Sequence, residues 1–222
     1  MTVLAGVAFS QTTIFNIPTA DTLAKGSVNL EADYITHPVS HDKGGYHTLG
    51  YRFAIGATGS TELGSNFYWT WDGSEAAADI EFSLKQRLYS NDKNGVSVSA
   101  GGIAFVPLDD HTGDRTSVMV YGNVSKAIKP LGGMNVTVGG YHVFRGRNDF
   151  GTRTGIMLGL VQPMTNRVSF IADWFSGQNR FGYASAGVNV NLTKRQYATA
   201  GWSFGNSGRG NNALAVYYGV TF

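Results

Sequence analysis

Cysteine is absent from the 222 residues, which excludes disulfides, thiolate metal ligands and cysteine nucleophiles. Charge is scarce: Asp, Glu, Lys and Arg make up 14% of the chain, against roughly 25% in soluble domains. No stretch reaches the roughly 18 consecutive apolar residues that mark a membrane helix, and mean hydropathy is only −0.11. The net charge of +2 is small and dispersed, and without a Lys/Arg-rich run it argues against a nucleic-acid partner. Neither a GxxxxGKS/T phosphate loop nor an HExxH zinc motif occurs, and no cofactor is implied. A chain short of charge yet not continuously apolar is what alternating lipid-facing and lumen-facing residues produce.

Alternation is indeed what the sequence has. Period-2 patterning recurs throughout and the helical period almost nowhere. Val28, Leu30, Ala32 and Tyr34 alternate with Asn29, Glu31, Asp33 and Ile35, and Leu49, Tyr51, Phe53 and Ile55 with Thr48, Gly50, Arg52 and Ala54. Leu63, Phe67, Trp69 and Trp71 then oppose Glu62, Asn66, Tyr68 and Thr70, and Ile80, Phe82 and Leu84 oppose Asp79, Glu81, Lys85 and Arg87. The middle runs are softer. Residues 95–106 place Val96, Val98, Ala104 and Val106 on one parity, with Ile103 and Phe105 on the wrong one. The last three runs are clear, ending on Leu214, Val216, Tyr218, Val220 and Phe222. Twelve runs result, each near the roughly 9 to 11 residues of a tilted membrane strand. The expected fold is an all-β, antiparallel, up-and-down transmembrane barrel of about twelve strands.

With the N-terminus taken as periplasmic, connections 37–45, 107–116, 145–153 and 205–211 become outer loops. The alternate connections, 56–59, 163–166 and 193–195, become tight inner turns, the asymmetry expected of such barrels. Connection 72–77 is short for an outer loop, and 90–95 is long for a turn. Trp69, Trp71, Trp174 and Trp202 all fall on the apolar parity toward strand ends, where an aromatic girdle sits. The other parity is rich in Gly, Ser and Asn, a poor packed core but a suitable wet lumen.

Residues 1–10, with the apolar stretch Val3–Phe9 and a small-x-small site at Ala8-Phe9-Ser10, have the form of a signal-peptide end. Residues 11–26 then read as a periplasmic lead segment and 27–222 as the barrel. The terminal YYGVTF resembles the C-terminal signature of bacterial outer-membrane β-barrel proteins, with Tyr218, Val220 and Phe222 matching its alternating apolar residues and final aromatic. That resemblance implies an outer-membrane location, lipid contact and recognition by the barrel-assembly machinery.

Glu31, Asp33, Arg52, Glu62, Asp79, Glu81, Lys85 and Arg87 share the polar parity of the first four runs, whereas the opposite wall offers mainly Asn, Thr and Tyr, with Asp173 a rare charge. One ionic wall facing a neutral one would set a transverse field across a pore; the competing expectation is that acids and bases pair across the ladder and fill the interior. His37, His41, His47, His111 and His142 fall in or beside outer loops. Their spacing matches no ligand motif, so no metal is assigned, with His37, His41 and His111 the weak candidates. GGYHVFRG around His142 supplies no serine for a Ser–His pair. The first expectation is therefore a small porin-like channel for passive diffusion of hydrophilic solutes or ions. Its alternatives are an enzyme with the outer-rim His and Asp residues as its site, His111 and Asp110 among them, and a closed structural or adhesive barrel.

Overall fold

The computed structural model describes residues 12–109, 115–145, 150–206 and 212–222. The strands are β1 (Val28–His37), β2 (Tyr46–Gly56), β3 (Thr61–Trp71), β4 (Ala76–Asn91), β5 (Val96–Pro107) and β6 (Ser117–Ile128), then β7 (Met134–Arg145), β8 (Thr154–Pro163), β9 (Val168–Phe175), β10 (Tyr183–Asn191), β11 (Gln196–Gly205) and β12 (Ala213–Thr221). Each pairs antiparallel with its sequence neighbours, and β12 pairs with β1 to close the barrel. Residues 1–10, together with Asp110 and His111, lie outside the described residues.

Both ends of the barrel wall meet at one rim, where the Phe222 amide donates to the Val28 carbonyl at 2.8 Å. Connections at that rim (57–60, 92–95, 129–133, 164–167, 192–195) are tight, and those opposite are mostly longer. The long connection expected at 90–95 shrinks because β4 runs on to Asn91, past a bulge between Arg87 and Tyr89. The short outer connection at 72–75 is a side-chain-closed turn. Asp72 Oδ1 accepts from the amides of Glu75 and Ser74, both at 2.8 Å, and these bonds hold its carboxyl below the usual range.

The apolar parity faces outward: Phe82 and Val138 are 52% and 51% exposed, the surface that hydrocarbon covers. All four tryptophans lie on this face and toward the long-loop rim, with Trp71 opposite His47 and Trp202 opposite Leu214. The polar parity turns inward, so Asp33, Lys85, Asn123 and Thr137 are buried. Inside, four tyrosines fold over a glycine directly opposite on the next strand: Tyr68 over Gly50, Tyr121 over Gly101, Tyr141 over Gly155 and Tyr197 over Gly219. A Cβ at Gly219 would lie 2.1 Å from Tyr197 Cζ, and one at Gly50 2.5 Å from Tyr68 Cε1. Missing side chains thus make room for rings that reach across the lumen.

One expectation is corrected inside the barrel. The wall opposite the ionic strands is not simply polar and neutral. Ile103 and Phe105, on the wrong parity for lipid, face inward and join Met119, Tyr121, Val143, Met157, Ile171 and Phe175 in an apolar cluster. Residues 12–25 of the lead segment pack within the barrel, where Ile14, Phe15 and Ile17 complete that cluster at 2% exposure or less. The physical reason is burial. Each large apolar side chain removed from water gains about 1.5–3 kcal/mol, and the inward apolar residues of β5–β9 offer the matching surface.

Filling the Gly219 space is therefore expected to destabilise the barrel. Gly219→Val overpacks Tyr197 and should cost about 1–3 kcal/mol, lowering the temperature at which the folded electrophoretic band converts to the unfolded one. Gly59→Ala, where a Cβ meets nothing within 4 Å, should leave that temperature unchanged.

Candidate functional site

Register builds the ionic wall. Tyr197, Gly219, Glu31, Arg52, Asn66, Glu81 and Phe105 are successive cross-strand partners, one row across seven strands. Within it Arg52 is heavily engaged. Its Nε lies 2.7 Å from Asp33 Oδ2 and its Nη1 3.3 Å from Glu31 Oε1. Its Nε also donates to Tyr68 Oη at 2.6 Å, and its guanidinium lies 5.1 Å from the Tyr217 ring centre. Tyr197, passing over Gly219, donates to Glu31 Oε2 at 2.6 Å. Removing one partner of such a set strands the others, which costs about 3–5 kcal/mol.

Other charges tie down the lead. Glu62 and Lys85, direct partners on β3 and β4, form an ion pair at 3.1 Å. Glu62 accepts from Thr12 Oγ1 at 2.8 Å and from the Leu23 amide at 2.9 Å, while Lys85 donates to the Thr12 carbonyl at 3.3 Å. Across the barrel, Asp173 Oδ2 accepts from three consecutive amides, Phe15 at 3.0 Å, Asn16 at 2.6 Å and Ile17 at 3.0 Å. On β6, Ser125 Oγ accepts from the Ala20 amide at 2.9 Å and Asn123 Nδ2 donates to the Pro18 carbonyl at 2.6 Å. Without these bonds the turn at 14–17 would leave amides unpaired in a dry interior.

Asp79 and Glu81 are less committed. Asp79 Oδ2 pairs at 3.0 Å with Arg180, which reaches across the mouth from the connection between β9 and β10, and Asp79 Oδ1 has no hydrogen-bond partner. Glu81 Oε2 accepts one bond, from Asn66 Nδ2 at 2.8 Å. Between this wall and the lead lies an elongated cavity of about 370 Å³, lined from Thr70 and Asp79 near the loop rim down to Asn29 and Glu62. Of the nine charges that the sequence groups as lumen-lining, Arg87 stands apart, because the β4 bulge lies beside it and its Nη2 donates to Gly59 O in the neighbouring turn at 2.5 Å.

The outer histidines do not converge. His37 Nδ1 bonds the Asn212 carbonyl, and His41 packs edge-on against His47, ring centres 5.5 Å apart. His142 is on the outward parity, with Nδ1 at 2.6 Å from Thr154 Oγ1 and Phe144 against its ring. Among the described residues no group of three or more His, Asp or Glu is placed to hold a metal. The sequence signals missed Arg180 and Phe181, which sit in a connection with no periodicity, and the anchoring polar residues Asn123 and Ser125.

Asp173→Ala should release the 14–17 turn. The three amides lose charge-assisted bonds of about 1.5–3 kcal/mol each, so the lead is expected to become susceptible to added protease while the barrel wall stays resistant. Protection equal to that of the parent would remove Asp173 as the anchor.

No protein-family model and no curated protein matches the sequence. Solved structures do. An outer-membrane channel from Pseudomonas putida F1 superposes with a TM-score of 0.63 at 14% identity, covering 91% of this chain and 98% of its own. The KdgM porin in complex with disordered oligogalacturonate gives 0.59 at 10% identity, covering 88% and 98%. Outer membrane phospholipase A from Escherichia coli gives 0.53 at 14% identity, covering 90% and 98%. Likeness at these identities concerns architecture, and the same architecture serves channels and an enzyme. The chain has the fold of the bacterial outer-membrane β-barrels.

Proposed function

We propose that this barrel is a narrow outer-membrane channel for passive diffusion of small hydrophilic solutes or ions, with a preference for cations. The observation that carries this reading is the cavity along the ionic wall, which follows one side of the lumen from the loop rim toward the turn rim. Among the described residues, the lumen carboxylates Glu31, Asp33, Glu62, Asp79, Glu81 and Asp173, joined by Asp21 beside Ser97, outnumber the cations Arg52, Lys85 and Arg180. An acidic surplus in a low-dielectric tube draws cations and repels anions. The KdgM porin is bound to an acidic oligosaccharide; the charge balance here favours solutes of the opposite sign.

A closed structural barrel is the second reading, favoured by the anchoring of the lead at Asp173 and Glu62. The rim-enzyme alternative rests on Asp110 and His111, which lie outside the described residues. Assembly fits the terminal residues: Tyr218 and Phe222 are 44% and 63% exposed on the outer face, where assembly machinery could reach them.

Planar-bilayer recording tests the channel. Discrete conductance steps and a reversal potential displaced toward the cation potential in a KCl gradient are expected. Glu81→Gln should lower the cation-to-anion permeability ratio several-fold, and Arg52→Ala should raise it while lowering thermal stability. An ion preference unmoved by both variants would dissociate the wall from the path, and silence from a folded barrel would favour the closed scaffold.

A further inference from the structure

Arg180 is held in an unusual way for a residue on a surface connection. Its guanidinium carbon lies 5.4 Å from the Phe105 ring centre and 5.5 Å from that of Phe181, while Nη2 meets Asp79 Oδ2 at 3.0 Å. Two aromatic faces and a carboxylate make a cage for a planar cation, since ring quadrupoles and a carboxylate attract the same charge. The wall half of the cage is built into paired strands: Phe105 on β5 stands directly opposite Glu81 on β4, and Asp79 is two residues along on the same face. The other half comes from the 176–182 connection, where Phe181 packs on Phe105 at 4.8 Å between ring centres.

The cage opens into the lumen. Asp79, Glu81, Phe105, Arg180 and Phe181 all line the cavity of about 370 Å³, a volume at the lower end of small-molecule sites. Arg180 uses only part of the acceptor capacity. Asp79 Oδ1 is buried with no hydrogen-bond partner, and Glu81 takes a single bond from a neutral amide.

The geometry points to a binding site for small organic cations carrying a guanidinium or ammonium head, in which Arg180 is a displaceable occupant from the chain itself. An incoming cation stacks on Phe105, pairs with Asp79 and extends toward Glu81, while Arg180 swings out with its connection. The inference rests on the channel reading for its biological sense, as the class of solute selected at the outer mouth, but the site itself requires only the folded barrel. Arg180 then sets specificity, because it admits only ligands that compete for the cage.

The test uses agmatine, which carries both heads, with urea as the neutral planar analogue. Both are titrated calorimetrically against the folded barrel in detergent and added to single-channel recordings. Agmatine is expected to bind and to interrupt the current in a concentration-dependent way, and urea to do neither. Glu81→Gln and Asp79→Asn should each weaken agmatine at least tenfold, and Arg180→Ala should tighten it several-fold by removing the competitor, with heat-modifiability confirming that each variant folds. Equal response to urea, indifference to both carboxylate changes, or loss of binding in Arg180→Ala would overturn the site. Conduction without agmatine binding or interruption sinks the cation site and leaves the channel standing. Calorimetric binding to a barrel that never conducts sinks the channel and leaves the site.

Discussion

In hydrocarbon an unpaired backbone amide has no water to turn to, at a cost of several kcal/mol per group, and this sheet meets that constraint by joining β12 to β1. Closure fixes the rest. With side chains alternating at period 2, half of every strand is committed to an enclosed space whatever its chemistry. An eight-stranded barrel fills that space with its own side chains, and one of 16 to 18 strands leaves it open. Twelve strands enclose an intermediate volume, and here the lead segment occupies much of it. Ile14, Phe15 and Ile17 are as dry as the core of a soluble domain.

The lead brings backbone as well as apolar side chains, and backbone in a dry interior needs partners. That need explains the otherwise expensive charges. Asp173 and the Glu62–Lys85 pair are tethers whose ligands are the amides and carbonyls of the lead. Arg52 belongs to a second group. Its partners Glu31 and Asp33 come from the adjacent strand, so this set braces the wall, and Arg52 reaches the lead through longer contacts to Thr13 and Phe15, at 3.5 and 3.4 Å. Asp79 and Glu81 form a third group, with acceptor capacity to spare at the outer mouth.

The architecture was legible because period 2 is robust to local detail: the strand runs and the inward parity of Glu31, Arg52 and Lys85 all follow from alternation. The misfit of Ile103 and Phe105 was legible too, but its meaning was not. Two apolar residues on the wrong parity announce something apolar inside the barrel, and the only unassigned segment with matching residues was 12–25. Linking the two requires knowing that the barrel brings the inward residues of β5 to β9 around one side of a shared lumen, a fact of closure and not of local pattern. Arg180 was invisible for a related reason. A charged residue in an aperiodic connection carries no signal of its partner, and Asp79 is distant in sequence and adjacent only because the loop folds inward. The tyrosine–glycine pairs lie between these cases, since Gly50 and Tyr68 become partners once the turn at 57–60 sets the hairpin register.

A lumen that contains a folded segment is not thereby filled: a cavity of about 370 Å³ remains beside Thr12, Thr13, Asn16 and Pro18 of the lead. Its apolar side chains join the inward residues Met119, Val143, Met157 and Ile171 of β6 to β9, and Phe15 also packs edge-on against Tyr217 of β12. Hydrophobic contact seats the 14–17 turn there, where Asp173 holds it, while Glu62 and Lys85 on the other side hold Thr12 and Leu23. The space the lead leaves is lined on one side by ionic residues of β1 to β4 and on the other by Phe105, Met119, Tyr121 and Phe175. The charges on the ionic side are held by direct partners, Arg52 with Glu31 and Asp33 and Lys85 with Glu62, as buried ions require. The asymmetry that gives one half of the lumen an apolar lining gives the other an ionic one, so the seated lead and the cavity beside it follow from one distribution of apolar residues.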